Sequence, residues 1–191
     1  MAVRIVIAED EALIRLDLKE TLQEEGYEVV GAVGRGDEAV EHVRELHTDL
    51  AILDIKMPGM DGIPAAKEIA AGRWAAVLIL TAFSQRDLVE QARDAGAIGY
   101  LVKPFQKSDL VPAIEVAIGR FSELRALEQE VHSLEEQLAT RRIVERAKGL
   151  LMDRHKLSES DAFTFIQQTA MRQRAKMRKV AEQVIDGTIH P

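Results

Sequence analysis

Short runs of uninterrupted apolar residues alternate with segments of helical periodicity, five times over, and that alternation restricts the first 118 residues to very few folds. The apolar runs are 3–8 (VRIVIA), 28–33, 50–53 (LAIL), 76–80 (AVLIL) and 98–102. Between and after them, 12–24, 37–46, 63–71, 86–95 and 108–118 read as helices, the first with Leu13, Leu16, Leu18 and Leu22 as its apolar positions. A strand that is apolar at every position is buried on both faces, which requires a parallel sheet covered by helices on either side. Five βα units in this length predict an α/β, doubly wound, five-stranded parallel sheet. Such sheets bind ligands at the carboxyl ends of their strands, so the chemistry belongs in the loops that follow each run.

Polar residues gather there. Glu9 and Asp10 follow the first run, Asp54 ends the third, Thr81 ends the fourth and Lys103 follows the fifth. Carboxylates crowded at one sheet edge repel one another unless a cation joins them. An all-oxygen donor set, with neither Cys nor His, selects Mg²⁺. A carboxylate attacks a phosphoryl group once the repulsion between the two anions is removed, which a divalent cation and one ammonium accomplish together. Asp54 is then the nucleophile and the phosphorylation site, with Glu9, Asp10 and Asp54 around the metal. Lys103 pairs with the phosphoryl oxygens, and the Thr81 hydroxyl is within reach of one of them. Each residue alone has an ordinary explanation: Asp54 as a turn residue, Thr81 as a strand end, Lys103-Pro104 as a turn, Tyr100 as a packed aromatic. No Gly-rich phosphate loop follows the first run, where AEDEA stands, which weighs against a nucleotide-binding sheet.

The texture changes after 118. No glycine occurs between Gly119 and Gly149, and Leu124, Leu127, Val131, Leu134 and Leu138 are spaced 3, 4, 3, 4. That is the seam spacing of a coiled coil, though two heptads also describe an amphipathic helix packed on its own chain. The last 50 or so residues read as three helices: 140–155, continuous with the seam, then 159–172 opened by a Ser158/Asp161 capping box, then 176–186 stopped by Gly187. Ile143, Ala147, Leu150 and Leu151 are the expected core stripe of the first, with Phe163 and Phe165 in the core from the second. The predicted organisation is 1–119, a helical linker over 120–139, and a small all-α domain over 140–191.

Charge separates these parts. The net charge of the whole is −7, yet 141–179 holds eleven Lys/Arg against four Asp/Glu, leaving 14 basic and 28 acidic residues elsewhere. A basic module beside an acidic one suggests a polyanionic partner for the former; mutual neutralisation of the two parts is the plain alternative. Arg142, Arg146 and Gly149 share one helix row, and MRQRAKMRK (171–179) concentrates five cations around a helix N-terminus. With no cysteine, no apolar stretch near the length of a membrane span and no signal-peptide pattern at MAVRIVIAEDE, the chain reads as cytoplasmic.

Glu9-Asp10, Asp54 followed by IKMPGMDG, Thr81-Ala82 and Lys103-Pro104-Phe105 together resemble a response-regulator receiver domain, a flavodoxin-like fold. The resemblance implies phosphotransfer from a sensor histidine kinase to Asp54, a metal ligand from the backbone carbonyl of Lys56, and an aromatic switch at Tyr100. IVERAKGLLM (143–152), LSESDAF (157–163) and AMRQRAKMRKVAEQVI (170–185) resemble the ANTAR domain, a three-helix RNA-binding module of antitermination regulators. This second resemblance implies stem-loop RNA as partner and places Arg142, Arg146, Lys148, Gly149, Arg172, Arg174, Lys176, Arg178 and Lys179 at its surface. The resulting expectation is a regulator, not an enzyme, that forms a phosphorylation-dependent homodimer. The alternative is a receiver whose helical end docks on a protein partner or binds DNA.

Overall fold

The computed structural model describes residues 2–191, and the chain divides into two compact units, Met1–Arg125 and Ala126–Pro191. The first unit contains β1 (Arg4–Ala8), α1 (Ala12–Glu24), β2 (Glu28–Val33), α2 (Gly36–Glu45), β3 (Leu50–Leu53), α3 (Gly62–Gly72), β4 (Ala76–Thr81), α4 (Arg86–Asp94) and β5 (Gly99–Val102). All five strands are parallel, in the order β2-β1-β3-β4-β5. The order reverses between β1 and β3, whose register pairs Ala8 with Leu53 and so sets Glu9 beside Asp54.

Strand alternation explains why the runs are apolar throughout. Ile5, Ile7, Leu50, Ile52, Leu78 and Leu80 enter one core with Leu18 and Leu22 of α1 and Leu110, Ile114 and Ala117 further along the chain. Val6, Ala8, Ala51, Leu53, Val77 and Ile79 enter the other, with Val40 and Val43 of α2, Ala66 and Ile69 of α3 and Ala92 of α4. Both faces are dry, so a polar residue finds room only at the strand ends. In α1 the buried leucines are Leu18 and Leu22; Leu13 and Leu16 point outward, 83 % and 53 % exposed. Of the four leucines that mark this helix in the sequence, Leu18 and Leu22 share the core-facing row and Leu13 and Leu16 lie off it.

Helix α5 runs from Lys107 to His155 without a break, so the expected helix over 108–118, the linker and the helix over 140–155 are one element. In the second unit α5 is followed by α6 (Glu159–Gln173) and α7 (Met177–Ile185). Ser158 caps α6: its hydroxyl oxygen accepts the Asp161 N–H at 3.1 Å and its hydroxyl donates to the Asp161 carboxylate at 2.6 Å. Gly187, at φ +81°, ends α7 as the sequence suggests. Val144, Ala147, Leu151, Ala162, Ile166, Ala170, Val180, Ala181 and Val184 form the core. The α5 stripe is centred on Val144, Ala147 and Leu151, with Ile143 packed at its edge, whereas Leu150, expected in the core, is half-buried outside that cluster. Phe163 faces outward, 40 % exposed, whereas Phe165 packs against the core.

Candidate phosphoacceptor pocket and basic helical module

Four strands deliver the pocket. The backbone ladder continues one residue past β1 and β3: Glu9 N–H donates to Val33 at 3.0 Å and Asp54 N–H to Ala8 at 2.9 Å. Lys103 N–H bonds to the Thr81 carbonyl at 2.8 Å, so these side chains begin from hydrogen-bonded, fixed backbone. The Lys103-Pro104 peptide bond is cis. Asp54 and Glu9 are buried, at 8 % and 1 % exposure, and Asp10 is exposed at the rim.

The Lys103 ammonium lies 2.8 Å from Asp54 Oδ2 and also contacts Glu9 Oε2. Asp54 Oδ1 accepts the Ile55 N–H at 2.6 Å, and Glu9 Oε1 accepts the Glu11 N–H at 3.2 Å. Burial pushes the Glu9 carboxyl above its ordinary range, against the pull of Lys103. For Lys103, burial alone would lower the pKa; the hydrogen bonds and charges of Asp54 and Glu9 outweigh it and hold the ammonium above its ordinary value. Glu9, Asp10 and Asp54 each present a carboxylate oxygen, all within 4.8 Å of one another, and a cavity of about 750 Å³ opens over Asp10, Asp54, Lys56, Phe83 and Lys103. Oxygen donors at that spacing fit a hard divalent cation.

The remaining predicted residues surround this centre differently. Thr81 is fully buried and its Oγ1 accepts the Phe83 N–H at 3.5 Å. Tyr100 is half-buried and donates to the Phe83 carbonyl at 2.6 Å, its hydroxyl pKa raised by burial and then by the Asp54 charge. The Lys56 ammonium points away, paired with Asp61 at 3.0 Å. Two contributors escaped the sequence reading. Arg15 of α1 donates to the backbone carbonyls of Glu9 and Asp10, buttressing the acidic pair from below. Gly62 packs against the Asp54 carbonyl so tightly that a Cβ there would occupy its space, while Gly62 N–H bonds to Ile55 at 2.8 Å. The glycine of the Asp54-proximal MPGMDG segment was the available signal.

In the second unit Arg142, Arg146, Arg172, Arg174, Lys176, Arg178 and Lys179 are exposed. Arg178 bridges to Glu182 within its helix at 3.0 Å. Lys148 is different: it is 7 % exposed, and its ammonium is held by Glu145 at 3.0 Å and Glu159 at 2.7 Å, clamping α5 to the start of α6. Gly149 has open space where a side chain would be, so packing within the chain does not demand a glycine there.

Residues 5–115 match the response regulator receiver domain and residues 132–185 the ANTAR domain. The chain is a response regulator of the receiver–ANTAR family. Transcriptional regulatory protein PdtaR of Mycobacterium tuberculosis is 62 % identical over 184 residues, spanning 96 % of this chain and 89 % of that protein. Chemotaxis protein CheY of Thermotoga maritima is 42 % identical over 115 residues, 60 % of this chain and 96 % of CheY. Among solved structures, the CheX–CheY–BeF3–Mg²⁺ complex from Borrelia burgdorferi superposes with a TM-score of 0.56 at 26 % identity, over 59 % of this chain and 86 % of that one. As a two-component response regulator, this receiver–ANTAR chain couples a signalling input to an RNA-binding antitermination output. Among the described residues no helix is long and apolar enough to cross a membrane.

Proposed function

We propose that Asp54 accepts a phosphoryl group from the phosphohistidine of a sensor kinase and that its phosphorylation state governs stem-loop RNA binding by the helical unit. The observation that carries this is the Lys103 bridge: one ammonium contacts both buried carboxylates at the sheet edge, with Asp54 Oδ2 at 2.8 Å. Attack forms the bond from the Asp54 oxygen to phosphorus as the P–N bond to the donor histidine breaks. Lys103 then has a phosphoryl oxygen to pair with in place of the carboxylate, and the Thr81 hydroxyl has an acceptor. Glu9, Asp10 and Asp54, with the Lys56 carbonyl, would hold Mg²⁺, which supplies the positive charge that lets two anions approach. The Mg²⁺ in the Borrelia CheY complex supports that assignment.

For the output, Arg142, Arg146 and the 172–179 cations form the phosphate-contacting surface, and Gly149 leaves room for close approach of the nucleic-acid backbone. Lys148 serves that surface through the Glu145–Glu159 clamp. Domain limits of 1–119, 120–139 and 140–191, a cytoplasmic setting and a phosphorylation-dependent homodimer through the 120–139 stretch complete the proposal. Crosslinking to cellular RNA tests it: wild type treated with a small-molecule phosphodonor and Mg²⁺ recovers a defined set of stem-loops, and Asp54→Ala does not respond to the donor. Duplex DNA outcompeting those stem-loops, or no specific RNA from either chain, refutes the RNA output.

A further inference from the structure

Within the second unit a cavity of about 490 Å³ opens between the 133–145 stretch of α5, Phe163 of α6 and Met177 of α7. Val144, Phe163 and Met177 supply its apolar lining. Val144 is buried in the helical core and Met177 packs against that core, half-buried. Phe163 belongs to neither: it is 40 % exposed, so much of its ring is apolar area that the fold leaves uncovered beside the cavity.

The polar lining has an unexpected sign for a basic module. Gln137, Glu136 and Glu145 all border the cavity. Glu145 is already held by Lys148 at 3.0 Å, and Glu136 lies 3.7 Å from His132. Two carboxylates repel a phosphate, but they accept hydrogen bonds from the amino groups of a neutral heterocycle, and the Gln137 amide both donates and accepts. Cations stand at the margin instead: Arg141 in the wall, Arg142 next to it in the chain, and Lys176 immediately before Met177, all three exposed.

We propose that this cavity receives one unpaired base of an RNA loop, stacked on Phe163, while the adjoining phosphates lie over Arg141, Arg142 and Lys176. The proposal rests on the RNA-binding output above and adds the part of it that reads a base. Phosphate contacts position a nucleic acid without reading its sequence, whereas bases splayed out of a loop are recognised by stacking and by their hydrogen-bonding edges. Charge selects this occupant. A nucleotide is anionic along its backbone and uncharged at its base, which matches cations outside and carboxylates within.

The test selects RNA hairpins with a fixed stem and a randomised loop on the full chain in beryllofluoride and Mg²⁺, then remakes the recovered loop with an abasic nucleotide at each position in turn. One position should cost wild type about tenfold in affinity when its base is removed, and cost a Phe163→Leu variant almost nothing. The variant should bind the intact hairpin about tenfold more weakly at an unchanged salt slope, since its phosphate contacts remain. Gln137→Ala changes an exposed side chain and so tests the site without disturbing the core; it should reduce discrimination among the four bases at that same position about fivefold. An abasic penalty equal in wild type and Phe163→Leu, with discrimination unchanged in Gln137→Ala, overturns the base site and leaves the RNA output standing. Recovery of no hairpin by wild type removes both. A benzophenone side chain at position 163 that crosslinks a second copy of the chain and not the selected hairpin also overturns the proposal, giving the cavity to a protein surface.

Discussion

The Lys103 ammonium lies 2.8 Å from the Asp54 carboxylate and touches Glu9 as well, so a single cation stands where a metal would otherwise draw on both acids. Under the proposed metal assignment, Lys103 and Mg²⁺ would compete for the same negative charge. A Lys103→Met variant is expected to bind Mg²⁺ about tenfold more tightly while incorporating less phosphate, because the incoming phosphoryl group loses its ammonium partner. Calorimetric titration of Mg²⁺ checks the first half and acyl-phosphate labelling the second. Unchanged or weaker Mg²⁺ affinity would show that the ammonium does not contend with the metal.

Gly62 offers a second test, through packing. A Cβ at that position would fall on the Asp54 backbone carbonyl, and backbone cannot move aside as a flexible side chain does. Gly62→Ala should lower receiver stability by about 2 kcal/mol and slow phosphorylation by displacing Asp54 from its place at the strand end. Urea unfolding followed by Trp74 fluorescence reads the first effect, since Trp74 packs against the receiver core. A variant with wild-type stability would mean that the start of α3 shifts freely.

The Lys148 clamp sets a pH window for the helical unit. Glu159 is held below the ordinary glutamate value of 4.5, chiefly by the hydrogen bond from Lys148. A depressed carboxyl stabilises the fold above its ordinary pKa and loses that contribution as pH falls through the folded value. Lys148 is raised above 10.5 by Glu159 and then Glu145, and its contribution is complete below 10.5 and lost as pH rises through the folded value. The unit should thus be most stable between the two limits, and Glu159→Gln should flatten the acid side. Urea titrations followed by the NMR resonances of Ala162 and Ile166 at several pH values measure this; an identical acid profile in the variant would remove Glu159 from the account.

Lys148 and Arg146 are two residues apart and should behave differently. Arg146→Ala removes an exposed cation and is expected to weaken stem-loop binding across sequences, reducing the salt slope of log K by about one. Lys148→Ala breaks the clamp and leaves Glu145 and Glu159 without their shared cation, so its first effect is a lower unfolding midpoint. Filter binding at several salt concentrations, alongside thermal unfolding, separates them. A loss of salt slope in Lys148→Ala at full stability would place that ammonium on RNA instead.

The receiver half was readable because each strand is buried on both faces, leaving only its carboxyl end for polar chemistry; Glu9, Asp10, Asp54, Thr81 and Lys103 stand there as the pattern requires. Arg15 was not readable, since its contribution runs through backbone carbonyls that no sequence spacing marks. The exposure of Leu13 and Leu16 was not readable, because helical periodicity identifies apolar residues and not which of them the sheet covers. Lys148 misled in the opposite sense: a lysine in a basic run reads as solvated, and only the fold brings Glu159 to it from the next helix. The continuity of α5 across Gly119 was hidden by a change of partner: Ile114 and Ala117 pack on the sheet and Val144 packs on α6 and α7, so one helix shows two unrelated faces in turn.

Phe83 is gripped through both of its backbone polar groups: its N–H reaches the Thr81 hydroxyl oxygen at 3.5 Å and its carbonyl accepts from Tyr100 at 2.6 Å. The first contact is slack and the second taut. A hydroxyl that donates to a new anion becomes a better acceptor, so a phosphoryl group on Asp54 would draw Phe83 toward Thr81 along a line that already ends at Tyr100. Under the proposed phosphorylation of Asp54, the loop after β4 would act as a tensioned cord between input and aromatic ring, its sensitivity lying in the length of the weaker knot.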